Sequence, residues 1–303
     1  MYLYPHLGEQ KMNETFKQLL ERESKFQIES STKATYYVTV QLDEMKSSWR
    51  SVLIDWLIEV VDDIQGVNEC VLYAAINYLD RFLSRYKVKE PGKNLQLVGV
   101  TCLAIALKMF QTRNTPSHFD GSLIARLCFL TDESYVIRDI HGMEQTILSC
   151  LKFNMSCVTC YDFLMSLFHN HKEILTLDEK DQHVAKLVMQ VFSLSNDYLK
   201  YRPHQIAVSA IDLALQLNCK RCFDFIKFGI EKQREEIRLC FSDMRTAFQV
   251  VFATNVSILL KQETMSTRIE AATLTVPPVQ TIYNKFSKEP YNLDLKKMLV
   301  FCN

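Results

Sequence analysis

Two stretches of this sequence, residues 95–110 and 206–217, are apolar on almost every face of a helix. A helix without a polar side has to be surrounded by other protein. Each of the two therefore requires its own shell of amphipathic neighbours, and two of them in 303 residues predict two helical bundles. The scarcity of turn formers agrees. Glycine and proline number 7 each, where average usage would supply about three times as much glycine and twice as much proline. Such a chain is poorly suited to a many-stranded sheet and well suited to long helices. The expected fold class is all-α: two tandem helical bundles, each around a buried central helix, preceded by an N-terminal helix.

The outer helices are read from their stripes. Met12, Phe16, Leu19 and Leu20 share one face of a short amphipathic helix, and residues 29–40 follow as a polar, β-prone connector. Val52, Leu53, Trp56, Leu57, Val60 and Ile64 mark a second helix that ends before Gly66. Asn68 is placed to cap a third, whose stripe is Leu72, Ala75, Ile76, Leu79, Phe82 and Leu83. A turn at Pro91-Gly92 precedes the first central helix. After it come a loop at 113–122, a short helix at 123–129, and a helix opening at Thr131, with Asp132 and Glu133 at its positive end, that runs to Leu151. A similar order repeats. Helices open near Thr159, at Thr176 with Glu179 completing a capping box and Tyr198 as the end, and at Pro203; the last two cover 220–228 and 231–260. The implied division is 1–44 (N-terminal helix and connector), 45–155 (first bundle), 156–262 (second bundle) and 263–303 (tail).

Composition removes several function classes. Lys+Arg and Asp+Glu balance at 35 against 35, so there is no basic field for nucleic acid. No glycine-rich phosphate loop is present. His169, His171 and His183 lie close in sequence, without a nucleophile elbow or a metal-ligand helix beside them. The 10 cysteines sit mostly in apolar helical patterns, as Cys102, Cys150 and Cys240 do, and suit a reducing compartment. The pairs Cys157/Cys160 and Cys219/Cys222 have zinc-like spacing but are far apart, so neither metal nor cofactor is expected. The first ten residues do not read as a secretory signal. The apolar run at 95–107, interrupted by Gln96, is short for a bilayer. A soluble intracellular protein is expected, with no membrane and no nucleic-acid partner.

The string Trp49-Arg50-Ser51-Val52-Leu53-Ile54-Asp55-Trp56-Leu57-Ile58-Glu59-Val60 resembles the opening of the cyclin box of A/B-type, mitotic cyclins. Asn77-Tyr78-Leu79-Asp80-Arg81-Phe82-Leu83, Leu95-Gln96-Leu97-Val98-Gly99, the helix carrying Lys108, Met143-Glu144 and Phe153 continue it in order. Tyr198-Leu199-Lys200-Tyr201 with Pro203 resembles the second cyclin fold, so that the likeness covers about residues 16–260. It implies a non-catalytic regulatory subunit that binds and allosterically activates a cyclin-dependent protein kinase, acts in cell-cycle progression, and is found in nucleus and cytoplasm. A cyclin-fold transcription factor bridging DNA and polymerase is the alternative, and would need a basic face.

Site expectations combine residue physics with that resemblance. Arg50 and Asp80 fall among core-facing apolar residues, where a lone charge is costly and a hydrogen-bonded pair is tolerated; the resemblance implies that they pair across the bundle. Lys108 suits the negative end of its own helix. The resemblance adds that Lys108 and Glu144 grip the main chain of a kinase helix, in a groove formed by Ile105, Met109, Leu148, Phe153 and Met155. Phe16, Leu19 and Leu20 either extend that contact or pack on the chain's own second bundle. Val52, Leu53, Trp56, Leu95 and Gln96 match a shallow patch that docks arginine-x-leucine motifs of substrates or inhibitors, with Glu59 and Asp63 for the basic residue; Val52, Leu53 and Trp56 as plain core is the alternative. The chain departs from the family at Trp49, where methionine is usual, at Met109-Phe110-Gln111, where phenylalanine and two glutamates are usual, and in longer loops at 89–94 and 113–122.

Overall fold

The computed structural model describes residues 15–25, 36–64, 66–110, 121–170, 177–218, 220, 230–262 and 282. Among them are ten helices and no strand: α1 (Phe16–Lys25), α2 (Ser47–Asp63), α3 (Cys70–Leu83), α4 (Pro91–Phe110), α5 (Gly121–Leu130), α6 (Ile137–Cys150), α7 (Cys160–Asn170), α8 (Glu179–Leu194), α9 (Pro203–Leu217) and α10 (Arg234–Gln262), with short 3-10 turns at Asn196–Lys200 and Glu231–Gln233. Met12, Gln111, residues 113–120, His171, Thr176, Cys219, Cys222, all but the first residue of the helix expected at 220–228 and most of the tail lie outside the described residues.

The helices pack around the two apolar ones. α4 contacts α2, α3, α5 and α6, and α9 contacts α7, α8 and α10. From Leu97 to Leu107 every residue of α4 is buried. By length and hydropathy α4 would also pass as a membrane span, but 67% of its most apolar window is buried inside the protein, which is the condition of a core helix. Gly99 is needed there: a Cβ at this position would come within 2.6 Å of a Leu53 methyl, so the missing side chain is what allows α2 to lie close against α4.

Several boundaries differ from the sequence reading. Pro91 opens α4 instead of preceding it in a turn, since its fixed φ and missing N–H suit a first helical position. Thr131 closes α5 instead of opening α6. Its hydroxyl donates back to the Cys128 carbonyl at 2.7 Å, and Asp132 and Glu133 turn left-handed (φ 55° and 54°). The cap of α6 lies five residues on, where the Val136 N–H reaches Asp139 at 2.9 Å. The capping box of α8 is Asp178/Asp181, with the Asp181 N–H donating to Asp178 Oδ1 at 2.8 Å. That helix stops at Leu194, because Ser195 is extended. Residues 36–39 form a turn of helix where an extended connector was expected.

The two groups of helices meet where α2 lies against α8 and α3 against α7. Arg50 of α2 is wholly buried at this seam. Its Nε and one Nη grip the Asp80 carboxylate of α3 at 2.8 and 2.9 Å. The other Nη donates to the Ser193 carbonyl at 2.8 Å and to that of Ser195 at 3.4 Å. The neighbouring Ser51 hydroxyl takes the Leu194 carbonyl at 2.6 Å. These carbonyls end α8 and have no partner within that helix, and a cation at the negative end of the helix dipole is favourable. One guanidinium thus satisfies a buried carboxylate in the first group and a helix terminus in the second. Arg50→Met is expected to destabilise by about 3–5 kcal/mol, as loss of one member of a buried ion pair does. Arg50→Lys should recover little, since an ammonium cannot fork. Guanidinium chloride denaturation of both variants checks this.

Candidate functional site

Lys108 lies in the last turn of α4 and Glu144 in the middle of α6, two helices in contact. The Lys108 ammonium donates to both Glu144 oxygens, at 2.6 and 2.8 Å. The His141 ring, one turn before Glu144, stands 3.4 Å from Oε2. The lysine side chain is 41% exposed and the glutamate 17%. In the free chain these two opposite charges therefore satisfy one another at the surface.

The expected groove residues divide by depth. Ile105 and Met155 are buried and form a floor, while Met109 and Leu148 are half-buried. Phe153 is 71% exposed. It follows Lys152 in a left-handed pair (φ 53° and 55°), a conformation that disfavours bulky residues. The backbone there is braced from beneath: Tyr78 donates to the Met155 carbonyl at 2.9 Å and Arg81 to that of Asn154 at 2.7 Å. The arrangement is an apolar ledge with an ion pair beside it.

Phe16 and Leu19 are not part of this ledge. Both are buried, α1 lies along α7, and the Phe16 ring meets Phe163 edge-on at 5.3 Å. Glu23 fastens the same helix by accepting from the His204 backbone N–H (3.1 Å) and pairing with its Nδ1 (2.6 Å) at the start of α9. The contribution of Phe16 and Leu19 to a partner surface is corrected accordingly: a helix with one apolar stripe has one face to bury, and the second group of helices takes it.

The residues expected for the docking patch divide by exposure. Val52 is 53% exposed, Trp56 and Gln96 are half-buried, and Glu59 and Asp63 are exposed. Leu53 and Leu95 are buried and belong to the core, Leu53 lying against Gly99 of α4. A Cβ at Gly92, at the start of α4, would lie 3.7 Å from the Trp49 ring. Two further features were not foreseen. Asp63 is already held by Arg126 of α5, whose Nη2 donates to its carboxylate at 2.8 Å and its carbonyl at 2.9 Å. Asp55 has a buried oxygen with no hydrogen-bond partner among the described residues.

Burial, and then the Glu59 charge one turn away, push the Asp55 carboxyl up from 3.8 to about 7. A carboxyl raised on folding leaves stability intact below its unfolded value and lowers it as pH rises toward the folded one. Asp55→Asn is expected to stabilise the chain by about 1–2 kcal/mol above pH 7, allowing for solvent screening of a half-buried group, and by nothing near pH 4. Melting curves of the two proteins across that pH range test it.

The geometry on α2, α3, α4 and α6 coincides with a known domain. Residues 14–156 match the cyclin N-terminal domain. The chain is 30% identical over 244 residues to the G2/mitotic-specific cyclin-A of Hydra viridissima, covering 80% of this chain and 54% of that protein. It is 32% identical to Cyclin-B2-1 of Arabidopsis thaliana, covering 58% and 37%, and 33% identical to Cyclin-A1-2 of the same plant, covering 59% and 38%. The chain thus spans about half or less of the length of these relatives. Its fold is similar to a viral cyclin from herpesvirus saimiri, with a TM-score of 0.57 at 16% identity, over 77% of this chain and 97% of the other. The chain belongs to the cyclin family, on the side of its A and B types.

Proposed function

We propose that this chain is a non-catalytic regulatory subunit that binds a cyclin-dependent protein kinase and activates it allosterically. The observation that carries the reading is the ledge of Met109, Leu148 and the exposed Phe153, with the Lys108–Glu144 pair beside it. An apolar centre flanked by charges that bond main-chain groups is the anatomy of a specific protein interface. Lys108 carries ammonium protons that can turn to backbone carbonyls, and Glu144 accepts from backbone N–H groups. Each would exchange its partner in the free chain for a main-chain group of the kinase helix. Clamping that helix in its active position brings the kinase's own lysine–glutamate pair together and orders its activation loop. The cyclin contributes binding energy and no reacting group.

Recruitment of substrates or inhibitors is proposed for Val52, Trp56, Gln96 and Glu59. The support is an exposed apolar stripe on α2 that ends in acids and is separate from the α4–α6 ledge. Action in cell-cycle control, in nucleus and cytoplasm, belongs to the same proposal.

The double variant Lys108→Ala/Glu144→Ala tests the kinase site. An exposed ion pair contributes about 0–1 kcal/mol to stability, so the fold should persist. Loss of two central contacts is expected to weaken kinase binding by about 30-fold or more. Copurification and kinase activity are measured with kinases isolated from the protein's own cells. A double variant that activates its kinase normally sinks the assignment. Phe153→Ala should lose binding while leaving the melting temperature unchanged or higher, since it gives up little buried area.

A further inference from the structure

The C-terminal end of α2 carries Glu59, Asp62 and Asp63, and its last turn has no basic residue. Its last carbonyls lie beyond the helix ladder, those of Val61 and Asp63 being taken by the Ile64 N–H and by Arg126, so three carboxylates stand at the negative end of a helix dipole. Arg126 answers this from α5. A single Nη2 bonds both the carboxylate and the carbonyl of Asp63, at 2.8 and 2.9 Å. Glu59, one turn back on the stripe of Val52 and Trp56, has no ion-pair partner among the described residues, and its charge is felt by Asp55. The acidic end of the stripe therefore holds one acid that is open and one that already holds a guanidinium.

We propose that Arg126 is a built-in competitor for the arginine of a docked peptide: it occupies Asp63 in the free chain and so determines which cationic motifs the α2 stripe accepts. The inference rests on the docking reading of that stripe. Its own basis is that Asp63 is seen binding the same chemical group that an arginine-bearing motif would bring. The Arg126–Asp63 pair is about half exposed on both sides, 47% and 56%. A pair of this kind is weak enough for an incoming guanidinium to displace it. Docking then costs the loss of the Asp63–Arg126 contact, or proceeds through Glu59 alone. A motif with one basic residue would use Glu59. A motif with two would have to displace Arg126 to use both acids.

The test uses the whole 303-residue chain and a synthetic peptide containing Arg-x-Leu preceded by a second arginine, with binding followed by fluorescence anisotropy at low salt. Arg126→Gln is expected to tighten binding about two- to five-fold, the range set by one exposed ion pair. Asp63→Asn should change little on its own, because its carboxylate is already engaged. In the Arg126→Gln background Asp63→Asn should remove the gain. Glu59→Gln should weaken binding in both backgrounds. Melting temperatures establish that each variant is folded. If Arg126→Gln lowers the melting temperature without altering peptide affinity, or if Asp63→Asn alone weakens binding as much as Glu59→Gln, Arg126 is only a cap for α2 and the proposal is overturned. Val52→Lys, at an exposed position, separates the underlying reading. If it leaves binding unchanged, or if no variant binds the peptide, the stripe is not a docking site and the proposal falls with it.

Discussion

The Arg50 guanidinium holds the seam on which the rest of the architecture depends. Two helical groups, each with its own apolar centre, have no general reason to meet at one fixed angle. Apolar faces slide, and hydrophobic burial is non-directional. Arg50 supplies the direction. It forks onto Asp80 across α2 and α3, then reaches the carbonyls that end α8. Burial alone would lower its basicity, but the charge and hydrogen bonds of Asp80 outweigh this and raise it well above the ordinary arginine value. Beside it, Tyr36, Tyr37 and Asn196 form a chain of hydrogen bonds at 3.0 and 2.9 Å that draws the N-terminal connector onto the same joint.

This joint fixes the relation between the two candidate surfaces. The α4–α6 ledge and the α2 stripe both belong to the first group of helices, and both are held by α4, whose buried length is their common backing. Gly99 sets how closely α2 approaches, and the Tyr78 and Arg81 bonds to residues 154–155 hold the turn that displays Phe153. The second group contributes by anchoring: it takes up α1 through Phe16, Leu19 and Glu23, and it receives Arg50. In this arrangement each candidate surface is backed by buried packing or main-chain hydrogen bonds. The acids at the end of α2 are the softer part, since they are governed by exposed charges.

The fold was legible in the sequence to the extent that it follows from hydrophobic period. Two helices without a polar side announced two centres, and the stripes placed the helices around them. Boundaries were less legible, because caps are chosen by geometry. Thr131 has the composition of a helix start but closes the preceding helix, and the box expected at Thr176/Glu179 sits at Asp178/Asp181. That Arg50 and Asp80 each need a partner could be anticipated, because a charge in an apolar stripe requires one, and the resemblance implied that they find it in each other. That Arg50 also reaches α8 could not be, because main-chain carbonyls carry no sequence signature.

Sequence by itself determined the fold class, the family, and the residue types at the surface pair Lys108 and Glu144. These depend on local pattern and on order along the chain. Tertiary structure alone decided which apolar residues face outward. Leu53 and Val52 are neighbours with the same period and chemistry, yet one lies under α4 and the other in solvent, because a helix face is defined only by what packs against it. It also decided that Phe16 and Leu19 are used internally and that Asp63 already has a cation. The physical reason is common to all three. A side chain's availability depends on its neighbours in space, and for these residues the neighbours come from 46 to 147 positions away along the chain.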